Sequence, residues 1–112
     1  MRRLVDRHPG FVARVFTDAE RDYAEKAKDS AERFAVRFAA KEAVLKVLGV
    51  GLGGAKFRDI EVGHLPSGAP TLAVEGKGQA LADELGIDSW LITLTHSDTT
   101  AGAVVAGLAA DS

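Results

Sequence analysis

Apolar residues recur at helical intervals through the first half of the chain, then alternate or cluster in short runs through the second. Between Arg2 and Ala13, the positions Leu4, Val5, His8, Phe11 and Val12 keep helical spacing while Pro9-Gly10 interrupts it. That pattern predicts a short helix, a break, and then more chain. Thr17-Asp18-Ala19-Glu20 is an N-cap signature. The Thr17 hydroxyl can accept a backbone N–H bond while Glu20 reaches back, so a helix is predicted from about residue 18 to about residue 27. Ser30 opens the most regular stretch, Ala31 to Leu48, which is rich in Ala, Leu, Glu, Lys and Arg and closed by Gly49, a residue favoured just past a helix C-terminus.

Beyond Leu48 the period changes. Gly49-Val50-Gly51-Leu52-Gly53-Gly54 reads as a flexible loop, and Phe57 to Val62 alternates as a strand does. Pro66-Ser67-Gly68-Ala69-Pro70 is turn chemistry, and Thr71 to Glu75 completes a hairpin. Gly78 to Leu85 reads as a helix stopped by Gly86; Trp90–Thr95 and Ala101–Leu108 read as two apolar strands joined by the polar turn His96 to Thr100. Helices first and antiparallel strands after, with one helix inserted, predict an α+β fold.

With 112 residues and no repeat or linker, the chain is expected to form a single domain over residues 1–112. Its 46% hydrophobic and 27% charged residues are ordinary globular usage, far from the composition of a disordered chain. The absence of cysteine excludes disulfides, thiolate zinc sites and cysteine nucleophiles. No apolar run approaches the roughly 20 residues of a membrane-spanning helix, and the start MRRLVDRHPG lacks the apolar middle of a signal peptide. A soluble, cytoplasmic protein is expected. The net charge of -2 hides an asymmetry: residues 1–58 hold thirteen Lys/Arg against eight Asp/Glu, and residues 59–112 hold one against eight. A basic half points to an anionic ligand or partner, unless the two halves mix in space. Nucleic acid is disfavoured by the negative total and the few aromatics available for stacking.

The helix Ala31–Leu48 carries the most informative chemistry. At 100° per residue, Ala31, Ala35, Phe38, Lys46 and Gly49 fall within about 40° of Glu42. Read from residues alone, this is an ordinary (i, i+4) Glu–Lys pair on a solvated face, stabilising the helix by roughly 0.2–0.5 kcal/mol. The functional alternative has Ala31 and Ala35 leaving space for a ligand, Glu42 holding a hard divalent cation, and Lys46 meeting a phosphate. A dinucleotide-binding reading of the glycines at 49–54 fails, because they follow a helix and precede a strand. His96, at a strand end among hydroxyls, reads either as structural or as part of a site, while His8 and His64 show no partner pattern.

Arg37-Phe38-Ala39-Ala40-Lys41-Glu42-Ala43-Val44-Leu45-Lys46 closely resembles the RFAAKEAxxK signature of holo-[acyl-carrier-protein] synthase, the small 4′-phosphopantetheinyl transferase family. Phe11 to Glu20 is similar to that family's segment leading to F-T-x-x-E, and Phe57–Val62, Gly68-Ala69-Pro70 and Leu94–Ser97 are similar to its F-x-D-I-E-V, G-x-P and S-x-T-H-S/T segments. The resemblance spans nearly the whole chain. It implies a 4′-phosphopantetheinyl transferase-like α+β fold and a Mg²⁺-dependent transfer of phosphopantetheine from coenzyme A to a serine of apo acyl carrier protein, releasing adenosine 3′,5′-bisphosphate. It also implies a homotrimer with a site at each subunit interface.

Carried over by motif, Glu42 is a metal ligand and catalytic residue. Lys46 is catalytic and contacts coenzyme A phosphates, Arg37 and His96 belong to the nucleotide site, and Gly49 lies beside the phosphates. The serine proton would fall to Glu42 or to a water at the metal. The early basic residues Arg2, Arg3, Arg7 and Arg14 would recognise an acidic carrier protein. By the same 100° step Arg37 lies about 140° around the helix from Glu42, so the two would reach one ligand only across a subunit interface, unless Arg37 packs beneath the site.

One departure stands against this pattern. The family's opening strand carries a G-I-D-like segment whose aspartate is the other principal Mg²⁺ ligand, and no such segment occurs here; neither Asp6 nor Asp18 lies in that motif. The expectation is that the segment lies upstream of Met1, with the first strand absent from the chain as written and its magnesium binding weak. The alternative is a non-catalytic homologue that binds coenzyme A or acyl carrier protein after losing one ligand.

Overall fold

The structure is a computed structural model and describes residues 9–50, 56–96 and 101–109. The helical stretch expected before Pro9, the glycines at 51–54 and the turn at 97–100 lie outside the described residues. Helix α1 runs Pro9–Val15, α2 Asp18–Glu25 and α3 Ser30–Leu48. A 3₁₀ turn at Phe57–Asp59 leads into β1 (Ile60–His64) and β2 (Pro70–Val74). Helix α4 (Gly76–Leu85) then precedes β3 (Ile87–His96) and β4 (Ala101–Ala109).

Pro9-Gly10, expected as a break, is instead a helix start: proline lacks the N–H that a first turn leaves unpaired, and its fixed φ suits that position. Helix α2 begins with the expected capping box, Glu20 N–H donating to the Thr17 hydroxyl at 3.2 Å and Thr17 N–H to the Glu20 carboxylate at 2.9 Å. It closes at Glu25, short of the expected end, because Ala27 N–H tightens onto Ala24 O. Helix α3 ends in a Schellman arrangement, with Gly49 left-handed at φ 73°, its N–H on Lys46 O and the Val50 N–H on Leu45 O.

The strand expected from Phe57 begins three residues later. Asp59 N–H bonds Lys56 O at 3.0 Å while Lys56 N–H reaches back to the Asp59 carboxylate, and this winds Phe57–Asp59 into the turn. The α4 and β3 starts fall at Gly76 and Ile87, earlier than the expected Gly78 and Trp90. β1 and β2 pair antiparallel from Ile60↔Val74 to His64↔Pro70, and β3 and β4 pair antiparallel through Trp90↔Gly107 to His96↔Ala101. Among the described residues these are two separate two-stranded sheets. The expected α+β class is observed.

Helix α3 is central, packed against α2, α4, β1, β3 and β4. One apolar cluster joins its Val44, Leu45 and Leu48 to Ile60 and Ala82, with Leu72, Val74, Trp90 and Val105 against them. A second joins Val12, Val15, Phe16 and Ala24 to Phe34, with Phe11, Phe38 and Phe57 around it. The ring contacts Phe16–Phe34 (4.8 Å) and Phe38–Phe57 (5.5 Å) seal the side toward α1 and the 3₁₀ turn. On the outer face of the β3–β4 hairpin, Leu91 and Val104 stay 59% and 69% exposed.

Candidate active site

Two charged residues lie inside the buried stripe of α3, Arg37 and Lys41, and a third, Glu20, meets them from α2. The Lys41 ammonium sits 2.8 Å from the Glu20 carboxylate, with both side chains fully shielded from solvent. It also donates to Phe57 O at 2.8 Å and to Ile60 O. The other Glu20 oxygen accepts the Val62 N–H at 2.8 Å. Burial pushes the Lys41 ammonium below its usual range, and the Glu20 carboxylate opposes that shift. Every bond here ties α2, α3 and the entry to β1 together, which fixes the rotation of α3 about its axis.

That rotation decides which residues face outward. Glu42 and Lys46 are exposed, as is Gly49 at the helix end. The surface ion pair that (i, i+4) spacing suggests is not among the salt bridges of the described residues. Ala31 is buried, Ala35 is half-buried, and Phe38 is covered by Phe11 and Phe57. The open part of this face is its C-terminal third. Among the described residues no group of three or more His, Asp or Glu could hold a metal by itself.

Arg37 occupies the other side of α3. It lines a cavity of about 550 Å³ between α2, α3 and the β1–β2 hairpin, whose walls include Tyr23, Arg33, His64, Gly68 and Pro70. Glu42, Lys46 and Gly49 are absent from its lining. Arg37 is only 5% exposed, and its Nε has no partner. One Nη donates to Arg33 O at 3.3 Å, and the guanidinium lies 4.4 Å from the Tyr23 ring centroid. Burial pushes the Arg37 guanidinium below its usual range, with Tyr23 and Glu20 opposing.

The structure therefore brings Glu42, Lys46 and Gly49 together and holds Arg37 apart, as the helical wheel indicates. The backbone of His96 closes β3 opposite Ala101; its side chain lies outside what is described. Of the early basic residues, Arg2, Arg3 and Arg7 lie outside the described residues, and Arg14 is exposed with its Nε on Gly10 O. Sequence reasoning missed Tyr23, Arg33 and His64. His64 does have a partner, its ring 4.2 Å from that of Tyr23. The available signal was Arg33 and Arg37 one helical turn apart.

Comparison with known proteins gives this geometry a context. Residues 1–102 match the family described as the 4′-phosphopantetheinyl transferase superfamily. The chain is 40% identical over 104 residues to holo-[acyl-carrier-protein] synthase of Moorella thermoacetica, covering 93% of this chain and 81% of the relative. To the synthase of the same description from Syntrophus aciditrophicus it is 44% identical over 96 residues, covering 85% and 75%. Among solved structures it is similar to holo-[acyl-carrier-protein] synthase from Neisseria meningitidis, with a TM-score of 0.80, 30% identity, and coverage of 93% and 84%. It is also similar to the Helicobacter pylori synthase in complex with coenzyme A, with a TM-score of 0.79, 27% identity, and coverage of 96% and 89%.

Proposed function

The chain belongs to the holo-[acyl-carrier-protein] synthase family of 4′-phosphopantetheinyl transferases, and from that premise we propose that it moves 4′-phosphopantetheine from coenzyme A onto a serine of apo acyl carrier protein in the cytoplasm, with Mg²⁺. The serine oxygen gives up its proton to Glu42 or to water and forms a bond to the phosphorus that carries the pantetheine arm, the diphosphate P–O bond breaks, and adenosine 3′,5′-bisphosphate leaves. The supporting observation is the outward display of Glu42 and Lys46 at the open end of α3, with no ion pair between them among the described residues. Lys46 offers an ammonium to phosphate oxygens, and Gly49 leaves room for backbone beside them. Glu42 supplies one hard oxygen donor, which fits a magnesium site completed by substrate phosphates, because that ion is usually held by one or two carboxylates plus such oxygens. When bound, magnesium would supply charge neutralisation on the diphosphate.

Arg37 is the nucleotide residue in this reading, and its place around the helix calls for two copies of the chain. The cavity at Arg37 on one protomer would hold the nucleotide while Glu42 and Lys46 of its neighbour meet the diphosphate. A closed ring of three protomers, each one domain over residues 1–112, satisfies that arrangement with one interface type. The exposed apolar face at Leu91 and Val104 gives such an assembly a surface to bury.

Intact-mass analysis of apo acyl carrier protein incubated with the enzyme, coenzyme A and Mg²⁺ tests the activity. The expected outcome is a gain of one phosphopantetheinyl group, lost when magnesium is chelated. Tight binding of coenzyme A with no mass gain would establish the non-catalytic reading instead.

A further inference from the structure

The cavity that holds Arg37 has a feature the family signature does not include. Three planar groups crowd the ring of Tyr23. The Arg33 guanidinium carbon lies 4.0 Å from its centroid, that of Arg37 4.4 Å, and the His64 ring centroid 4.2 Å. Three groups at these distances crowd the ring and leave little of it for the base of a bound nucleotide. Tyr23 is therefore occupied within the protein. Its backbone adds a further tie, since Arg33 Nη1 donates to Tyr23 O at 2.7 Å.

The consequence falls on the arginines. Arg33 and Arg37 project from one face of α3 one turn apart, and two guanidiniums placed so close repel. A ring quadrupole attracts both cations and fixes each of them against the phenol. Arg37 is left with a buried Nε that has no partner, beside a cavity of about 550 Å³. Lys28, Arg33 and Arg37 line this cavity against Asp29 and Glu32, and the excess of cations with an unused donor suits an anion with several oxygens. We propose that Tyr23 is a positioning residue of the nucleotide half-site, holding Arg33 and Arg37 on its ring so that they present a fixed pair of guanidiniums to a phosphate of coenzyme A. This rests on the reading of Arg37 given under the proposed function.

The test measures binding of adenosine 3′,5′-bisphosphate by calorimetry without magnesium, so that Glu42 and the transfer step play no part. In Tyr23→Leu the dissociation constant should rise about tenfold, and coenzyme A KM should rise with kcat little changed, because a looser cradle weakens binding before chemistry. Tyr23→Phe keeps the ring and should stay within about twofold of the parent. Arg33→Lys keeps the charge without the planar group and should weaken binding several-fold even if Tyr23→Leu proves too unstable to measure. Lower thermal stability with unchanged binding in Tyr23→Leu and Arg33→Lys would make the cluster a plain clasp between α2 and α3 and overturn the proposal. Equal losses in Tyr23→Phe and Tyr23→Leu would overturn it too, by assigning the effect to the hydroxyl. Arg37→Ala separates the two levels: if it binds the nucleotide like the parent, the site reading itself fails.

Discussion

Two glutamate–lysine pairs in this protein each take their lysine from helix α3 and differ in every other respect. Glu20 and Lys41 come from different helices, sit 2.8 Å apart and are sealed from water. Glu42 and Lys46 are one turn apart on α3, exposed, and joined by no ion pair among the described residues. Sequence proximity would have paired the second and missed the first. The first pair has each of its remaining polar atoms bonded to backbone of the 3₁₀ turn, β1 or the α2 cap. Such a network fixes geometry, because breaking any part of it strands a buried charge. The second pair is free to exchange water for ligand oxygens. The comparison marks the buried pair as scaffold and leaves the open pair available to a ligand, and experiments can break that division.

The largest effect should come from Glu20→Gln. It leaves Lys41 buried with two backbone carbonyls and no carboxylate in contact, Glu61 acting only from farther off, and removing one partner of a buried pair costs about 3–5 kcal/mol. Urea unfolding would measure the loss. Its pH dependence carries a sign. Burial already holds the Lys41 pKa below its usual value, and without the carboxylate it falls further. In the range between the folded and unfolded pKa values the unfolded chain then binds more protons, so stability rises with pH there. The deficit of the variant against the parent should therefore shrink as pH rises toward the ordinary lysine range. A deficit that stays constant or grows across that range would show that Glu20 acts only as a hydrogen-bond acceptor.

Much of this arrangement was legible in advance, and the boundary is physical. The Thr17–Glu20 cap, the extent of α3 and the hairpin at Gly68 are local, set by groups within four or five residues. The second role of Glu20 was hidden, since its partners Lys41 and Val62 lie far along the chain. Charged side chains such as Arg37 and Lys41 are ordinarily exposed, yet α3 is covered on several sides and buries them. Phe57–Val62 alternates correctly but starts as a 3₁₀ turn, because the Asp59 carboxylate competes for backbone that a strand would need. The Glu42–Lys46 candidate comes from its motif and its spacing, whereas the Tyr23 cluster depends on α2 meeting α3 and the β1–β2 hairpin.

The next effect in size falls on activity and tests whether the open and buried sides serve one reaction. Glu42→Ala and Arg37→Ala should each lower phosphopantetheinyl transfer by about 10²–10³, the scale for removing one group that stabilises developing charge. Glu42→Ala should leave stability within about 0.5 kcal/mol, as expected for an exposed side chain. When the two inactive proteins are unfolded, mixed in equal amounts and refolded together, about a quarter of the interfaces would combine an intact Glu42 with an intact Arg37. Activity should return to about that fraction. No recovery, with mixed assembly verified by mass, would place both residues in one protomer's site.

The smallest expected effect concerns Gly49, which closes α3 on the same side as Glu42. Its φ of 73° is left-handed, and a Cβ built there would meet nothing within 4 Å. Gly49→Ala should therefore cost about 1 kcal/mol of stability through backbone conformation alone. If the loop only ends the helix, coenzyme A KM should be unchanged once the protein is folded. The open-side reading expects more: a methyl beside the diphosphate blocks close approach of backbone, and KM should rise about threefold or more while kcat holds. A rise in KM without a larger stability loss than the backbone term would extend the ligand-facing region of α3 past Lys46 to the helix end. An unchanged KM would confine it to the Glu42–Lys46 turn.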